Sequence, residues 1–219
     1  MIGSLDPEGP VAESMANLWW FMLALGVAVF AIFTGLLLVG LFRRRRPAEP
    51  RTDGPTRERF GWMIVGGGVL LPVVVVGAVF VATVVAMRDV ARTAPADALE
   101  IEIVGHQWWW EVRYPAEGIT LVDELHIPVG RPVAFRLTSA DVIHSFWVPA
   151  LGGKMDLLPD GVNTLILEAD EPGVHNSVCA EFCGLDHAQM KLIVVAEPAD
   201  EFAAWVADQP QSEAAGGDG

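Results

Sequence analysis

Two cysteines in 219 residues are too few for a disulfide scaffold. Basic residues are scarce as well. Fourteen Lys and Arg stand against 28 Asp and Glu, giving a formal net charge of −14 and a pI near 4.6. That balance excludes the basic face a nucleic-acid partner needs. Only 19% of residues are charged and 52% are hydrophobic, which excludes a disordered acidic chain. No internal repeat is visible, and the length allows one or two domains.

What is present divides the chain into two materials. Leu18–Phe42 is a run of 25 residues without a formal charge, and Gly61–Met87 is another of 27. At about 1.5 Å per residue, either run crosses a hydrocarbon layer of roughly 30 Å with some tilt. Trp19 and Trp20 stand where amphipathic rings prefer the interface. Pro72 is expected to break or kink the second span. Seven of the 14 basic residues, Arg43, Arg44, Arg45, Arg46, Arg51, Arg57 and Arg59, lie between the two spans. Ahead of the first span stand only acids: Asp6, Glu8 and Glu13. The positive-inside rule puts the intervening loop in the cytoplasm and both termini on the other side. The start Met1-Ile2-Gly3-Ser4-Leu5 lacks a basic n-region, so the first span reads as a retained anchor rather than a cleaved signal.

From Leu99 the texture changes to short alternating runs punctuated by Pro and Gly. Leu99–Val104, Trp108–Tyr114, Val133–Thr138, Val142–Val148, Asn163–Glu168 and Lys191–Ala196 read as strands. Six or more strands in about 100 residues imply a sandwich or small barrel. Asp200–Gln209 reads as a short amphipathic helix before a Ser/Gly/Ala tail. Residues 94–219 hold 21 acidic and five basic residues, a net charge of −16. Such a surface reads first as a soluble exterior and, more sharply, as a field that would steer a basic partner; composition alone favours the first.

The stretch richest in chemistry is Cys179-Ala180-Glu181-Phe182-Cys183-Gly184-Leu185-Asp186-His187-Ala188-Gln189-Met190, with His144 in a strand 35 residues upstream of Cys179. Thiolate and thioether are soft ligands and imidazole is intermediate, a set that suits copper over hard cations. A Cys179–Cys183 disulfide is allowed outside the cytoplasm. Zinc accepts two Cys and two His but gives Met190 no role beyond core filler. A single copper site of the blue type leaves one cysteine unexplained. Two thiolates bridging two coppers, with one histidine each, a weak Met190 ligand and a backbone carbonyl, use every member. Spacing leaves these alternatives open. It also gives His175, four residues before Cys179, the same claim as His187, four after Cys183. A lone strand histidine is ordinarily a packed or surface residue, and His175 is read that way.

The residues Gly105-His106-Gln107-Trp108, Asp141 through Pro149, Gly152-Gly153-Lys154-Met155-Asp156 and Cys179 through Met190, in this order behind two spans, resemble cytochrome c oxidase subunit II. The resemblance covers residues of about 15 to 205. It implies a membrane α-helical hairpin plus an all-β cupredoxin-like barrel or sandwich. The segments would be 1–17 outside, 18–42 and 61–87 spanning, 43–60 in the cytoplasm, 95–198 as the β domain and 199–219 as a short helix and acidic tail. The implied cofactor is dinuclear copper A. Cys179 and Cys183 would bridge the coppers, His144 and His187 would be terminal ligands, Met190 the axial sulfur, and Glu181 would lend its backbone carbonyl. The Glu181 side chain would reach magnesium at the seam with subunit I, which carries the haems and CuB. The resemblance puts His175 at a non-ligand aromatic position. It makes Trp108 the electron entry, with Trp110 on the same strand face as packing, and Asp141 the first docking acid for cytochrome c. The partners implied are subunit I, the other oxidase subunits, cytochrome c and the lipid of a bacterial plasma membrane, with the β domain on the periplasmic side.

Some positions depart from the family pattern. Anchoring on Pro72 puts Val65 where many members carry a glutamate at the mouth of a proton path. Asp160 replaces a common glycine and Trp109 a common tyrosine. Three rival classes share parts of this pattern. A quinol oxidase subunit II would lack the copper ligands. An anchored binding module would hold a 179–183 disulfide. A nitrous oxide reductase copper domain would accompany a propeller.

Overall fold

The structure, a computed structural model, describes residues 6–43, 61–62, 64–90 and 93–210. The Arg-rich loop expected over 43–60 therefore lies, apart from Arg43, outside the described residues. The chain forms two compact units, Asn17–Arg88 and a second made of residues up to Ala16 together with those from Asp89 onward.

The first unit is helical. Helix α1 runs Pro10–Arg43. Its 34 residues are roughly 50 Å long, more than a bilayer core requires. The surplus lies at the start. Pro10 is tolerated at the first helical position, where its missing N–H would have no partner, and Glu13 complements the positive end of the dipole. From Trp19 to Phe42 most of the large apolar side chains are exposed around the helix. Trp19 and Trp20 make an edge-to-face pair with ring centroids 4.6 Å apart.

The second helix does not break at Pro72. A π-helical turn, Gly66–Leu70, leads into α2, Leu71–Val90. Pro72 has no N–H to donate, and its ring crowds the carbonyl four residues back, at Gly68. The widened turn absorbs this: the Leu71 N–H bonds to Gly66 O, five residues back. The three glycines of that turn have no side chain to obstruct it. Both helices are long and apolar enough to cross a membrane.

The second unit contains ten strands in two five-stranded sheets. One has the order β3 (Ile119–Val122), β2 (Trp109–Tyr114), β1 (Leu99–His106), β5 (Val133–Ser139), β8 (Asn163–Leu167). The other has the order β4 (Glu124–Pro128), β10 (Lys191–Glu197), β9 (Gly173–Cys179), β6 (His144–Trp147), β7 (Met155–Leu157). The pairs β1–β5 and β4–β10 are parallel. Alternating burial along β1 and β10 turns one face of each sheet inward. Ile101, Ile103, Trp110, Val112, Phe135 and Leu137 meet Leu125, Phe146, Leu157 and Val194 in the core. Each such fully buried large side chain contributes about 1.5–3 kcal/mol. Phe146 sits edge-on to Trp110 with centroids 5.8 Å apart.

A single residue carries the chain from one sheet to the other. Asp123, between β3 and β4, has φ 56°. Its carboxylate accepts from Trp110 N at 2.7 Å, its N–H donates to Trp110 O at 2.9 Å, and its carbonyl accepts from Ile193 N at 3.0 Å. Asp tolerates this left-handed conformation because its short side chain bonds locally. The far end of the sandwich is closed by helix α3, Ala199–Asp208. Phe202 joins the core and Trp205 stacks on His126 at 4.1 Å.

Residues 6–16 also belong to this unit. Glu8 N donates to Ala150 O at 2.8 Å and Glu8 O accepts from Asp170 N at 2.9 Å. A Cβ on Gly9 would lie 2.3 Å from the Glu168 carbonyl oxygen, so only glycine lets the segment approach this closely. Val11, Ala12 and Ala16 are buried, Val11 against Gly152.

Candidate metal centre

Strand β9 ends inside the sandwich at Cys179, directly across from Phe146 of β6. That register sets His144, the first residue of β6, close to Cys179. The next segment returns on itself: Cys179 N donates to Met190 O at 3.1 Å, Ala180 N to Ser145 O at 2.9 Å and Met190 N to Asp186 O at 3.2 Å. A 3₁₀ turn, His187–Gln189, completes it before β10 begins. Gly184 has φ 127°, and its missing Cβ leaves room for the Trp108 ring 3.0 Å away.

The closed loop gathers the soft donors. The Cys179 and Cys183 sulfurs are 3.8 Å apart. His144 Nδ1 is 3.9 Å from Cys179 Sγ, and His187 Nδ1 is 3.6 Å from Cys183 Sγ. Met190 Sδ is 3.8 Å from Cys183 Sγ, and Glu181 O is 3.2 Å from Cys179 Sγ. His144, Cys179 and Cys183 form a group able to hold a metal ion, each offering one ligand atom, with those atoms within 4.8 Å of one another. They and Met190 are buried, while Phe182 and Leu185 beside them are 76% and 93% exposed. Both cysteines are free, and 3.8 Å far exceeds the roughly 2.05 Å of an S–S bond, so the disulfide alternative is not the arrangement present.

The two thiols are electrostatically unequal. Burial raises the Cys179 thiol, but His144 and the surrounding polar groups outweigh it and bring it down to about 6. Burial, followed by the charge on Cys179, pushes Cys183 up to about 12. The first thiolate disfavours the second, and a cation between the sulfurs stabilises both. The donor set fits copper: two sulfurs within reach of both imidazoles, with a thioether that zinc would leave idle.

Around the donors the structure places the remaining sequence candidates. Asp141 Oδ1 is 2.8 Å from His144 Nε2 and accepts from Val142 N, while Oδ2 accepts from Gln107 N at 2.7 Å. Burial alone would raise this carboxyl, but these donors outweigh it and hold its pKa below the ordinary value. Trp108 lies in the β1–β2 turn and not on a strand, so it does not share a strand face with Trp110. Its indole Nε1 donates to Cys183 O at 3.2 Å. Trp110 is fully buried, 6.0 Å from the His144 ring. The Glu181 side chain is exposed. His175 is buried on β9, with Nδ1 3.7 Å from Glu8 Oε2, outside the donor group. Sequence reasoning assigned nothing to Gln107, although it lies within the quoted Gly-His-Gln-Trp run. Its Nε2 donates to Cys183 O at 2.7 Å.

Two apolar helices and a two-sheet β unit with a buried soft-donor cluster define a membrane-anchored, cupredoxin-like protein with a candidate metal site. The comparisons narrow the class. The family described as "Cytochrome C oxidase subunit II, periplasmic domain" matches residues 117–197. Cytochrome c oxidase subunit 2 of Alkalihalophilus pseudofirmus is 37% identical over 210 residues, covering 93% of this chain and 60% of that protein. Quinol oxidase subunit 2 of Bacillus cereus is 32% identical over 217 residues, covering 95% of this chain and 73% of that protein. The periplasmic domain of subunit II of cytochrome oxidase of Bradyrhizobium japonicum superposes with a TM-score of 0.50 at 32% identity, covering 52% of this chain and 95% of that one. The chain belongs to the subunit II family of haem-copper oxidases, and is a membrane protein.

Proposed function

We propose that this chain is the electron-entry subunit of a respiratory cytochrome c oxidase. Cys179 and Cys183 would bridge two coppers, with His144 and His187 at the ends, Met190 as the weak sulfur ligand and the Glu181 carbonyl completing the set. The observation that carries this reading is the gathering of four further donors, His144, His187, Met190 and the Glu181 carbonyl, within 3.9 Å of one or other of two sulfurs 3.8 Å apart. Bound there, the copper pair supplies a one-electron couple between cytochrome c on the periplasmic face and haem in subunit I, where oxygen is reduced to water with proton pumping. The protein's own contribution is rigidity and dryness. Two sheets fix β6 against β9, the loop is closed by backbone bonds, and burial keeps water from the sulfurs. Trp108, half-buried and bonded to the Cys183 carbonyl, is the entry residue. The exposed Glu181 side chain is free to take magnesium at a seam with subunit I. Val65 leaves the second span without the usual glutamate of a proton path.

The quinol oxidase relatives favour a second reading, in which the same scaffold serves a quinol-oxidising complex. The donor set supports cytochrome c over it. Metal analysis and donor assays on the purified oxidase separate the two. The expected result is two coppers in this subunit, an electron paramagnetic signal of one unpaired electron shared by two nuclei, and turnover with reduced cytochrome c. A subunit II without copper, turning over with quinol only, overturns it.

A further inference from the structure

Residues 6–16 lie against the sandwich beside a histidine that the metal centre does not use. Glu8 N donates to Ala150 O at 2.8 Å and Asp170 N donates to Glu8 O at 2.9 Å, so this strap bridges the loops ahead of β7 and β9. His175 of β9 is 4% exposed. Its Nδ1 is 3.7 Å from Glu8 Oε2, and its Nε2 has no hydrogen-bond partner among the described residues. A Cβ on Gly173 would lie 3.4 Å from the His175 ring and 3.5 Å from Glu8 Oε2, so ring and carboxylate meet over one glycine. Glu8 is the one carboxylate within ion-pair distance of the ring among the described residues. On β10 the ring's neighbour is apolar Val194, while Lys191 and Glu197 belong to the other face of that strand. Asp6, Asp170 and Glu171, nearby along the chain, are exposed to water.

A neutral imidazole carries one N–H and a protonated one carries two. At 3.7 Å the Glu8 oxygen is beyond hydrogen-bond length, and Nε2 faces no acceptor. An imidazolium here would keep both N–H groups buried and unbonded, which is costly. We propose that residues 6–16 form an acid-released strap, closed over the sandwich while His175 is neutral and lifted when His175 is protonated. Lifting admits water to both ring nitrogens. What it gives up is small: two backbone hydrogen bonds and the burial of Val11, Ala12 and Ala16. The sign follows from linkage. Burial lowers the pKa of the covered ring, and Glu8 offsets this in part. An uncovered ring takes up its proton at about pH 6.5, so acid favours the lifted form and neutral pH the closed one. Val11 presses on Gly152, two residues before Lys154, whose Nζ donates to Ala180 O at 3.2 Å beside Cys179. The strap therefore bears on a segment that reaches the metal loop. That it reads acidity on the side where pumped protons emerge rests on the function proposed above; the latch itself does not.

The test is hydrogen–deuterium exchange by mass spectrometry on the purified, assembled oxidase at pH 7.5, 6.5 and 5.5, each rate corrected for the intrinsic effect of pH on exchange. Peptides covering the Glu8 and Asp170 amides report on the strap, and peptides of β10 report on the core. Wild type is compared with His175→Phe, which keeps a ring and removes the titration, and with Glu8→Gln, which removes the one charge that favours the covered imidazolium. In wild type, protection of the strap amides is expected to fall at least about 3-fold between pH 7.5 and 5.5 while β10 holds. His175→Phe should abolish that fall, and Glu8→Gln should deepen it. Strap protection independent of pH in wild type overturns the proposal, as does an equal fall in His175→Phe. A parallel loss in β10 also overturns it, because the whole unit and not the strap is then acid-labile. If His175→Phe does not assemble, His175→Gln makes the same comparison. Copper is not among the readouts, so a failure of the two-copper reading would show in metal analysis and leave the exchange result untouched.

Discussion

The two ends of the β sandwich each hold a buried histidine with carboxylate company, and they differ in one respect. Strand β10 connects them, rising from Met190 at the metal side to Glu197 about 20 Å away. At the far end, His126 has Nε2 2.9 Å from Glu124 and Nδ1 3.2 Å from Glu197, while Trp205 covers its ring and Tyr114 Oη bonds both its backbone groups. Every polar group of His126 is used, and the residue is a structural rivet. At the metal side, His144 has one nitrogen held by Asp141 and the other aimed at sulfur. Burial and an acidic neighbour therefore do not mark a ligand. A nitrogen with no protein acceptor, pointed at other soft donors, does.

The sharpest way to break this contrast is Cys179→Ser. A hydroxyl is a poor bridging ligand for copper, so the expected outcome is complete loss of the two-copper signal, measured by metal content and paramagnetic spectroscopy. Retention of two coppers would remove the basis for distinguishing the two ends. His126→Leu is the converse. It leaves Glu197 without its imidazole partner and removes the ring stacked at 4.1 Å on Trp205. It should lower unfolding stability by about 1–3 kcal/mol in denaturant titration while the copper spectrum stays as in wild type. Trp108→Phe keeps an aromatic ring but loses the bond to Cys183 O. Metal content should hold and the rate of electron entry from cytochrome c should fall in stopped-flow, whereas an unchanged rate removes Trp108 from its role.

The smallest effect concerns His175, a third buried histidine, whose Nε2 has no hydrogen-bond partner among the described residues. Burial lowers its pKa from 6.5, and Glu8 only partly offsets this. A depressed histidine stays neutral in the fold while the unfolded chain takes up the proton, so stability is intact above the unfolded value and declines as pH falls through it. His175→Gln should flatten the loss of stability between about pH 7 and 5, read from denaturation midpoints at each pH. An unaltered slope would mean that other groups govern the acid limb.

The sequence made the spans legible because an uncharged run longer than a core helix has few other uses. It made the donor set legible because two thiols, an imidazole and a thioether within 12 residues are rare without a metal. Strands β1, β2, β5, β6, β8 and β10 were visible through their alternation. Strand β9 was not, because its buried face is His175, Ser177 and Cys179, and a polar inner face gives no hydrophobic period. Strands β3 and β4 were masked by their join at one residue, Asp123, whose left-handed turn has no Gly or Pro to announce it. The expected run Val142–Val148 begins only at His144, since the preceding residues form the loop that presents Asp141. The hydrogen bonds that join Gln107 to Asp141 and to the Cys183 carbonyl were invisible for a similar reason: the fold and not the spacing brings these residues together.

The strap formed by residues 6–16 has a practical meaning for anyone wishing to handle the β unit alone. Along the sequence, the helical segment separates this strap from the strands it covers, so a water-soluble fragment begun near Leu99 would leave Leu151 and Leu167 without the Gly9 and Val11 that lie against Leu151 and near Leu167. Such a truncation would uncover the seat of Val11 beside Gly152. A fusion that splices 6–16 back ahead of the first strand by a flexible tether is the better starting material.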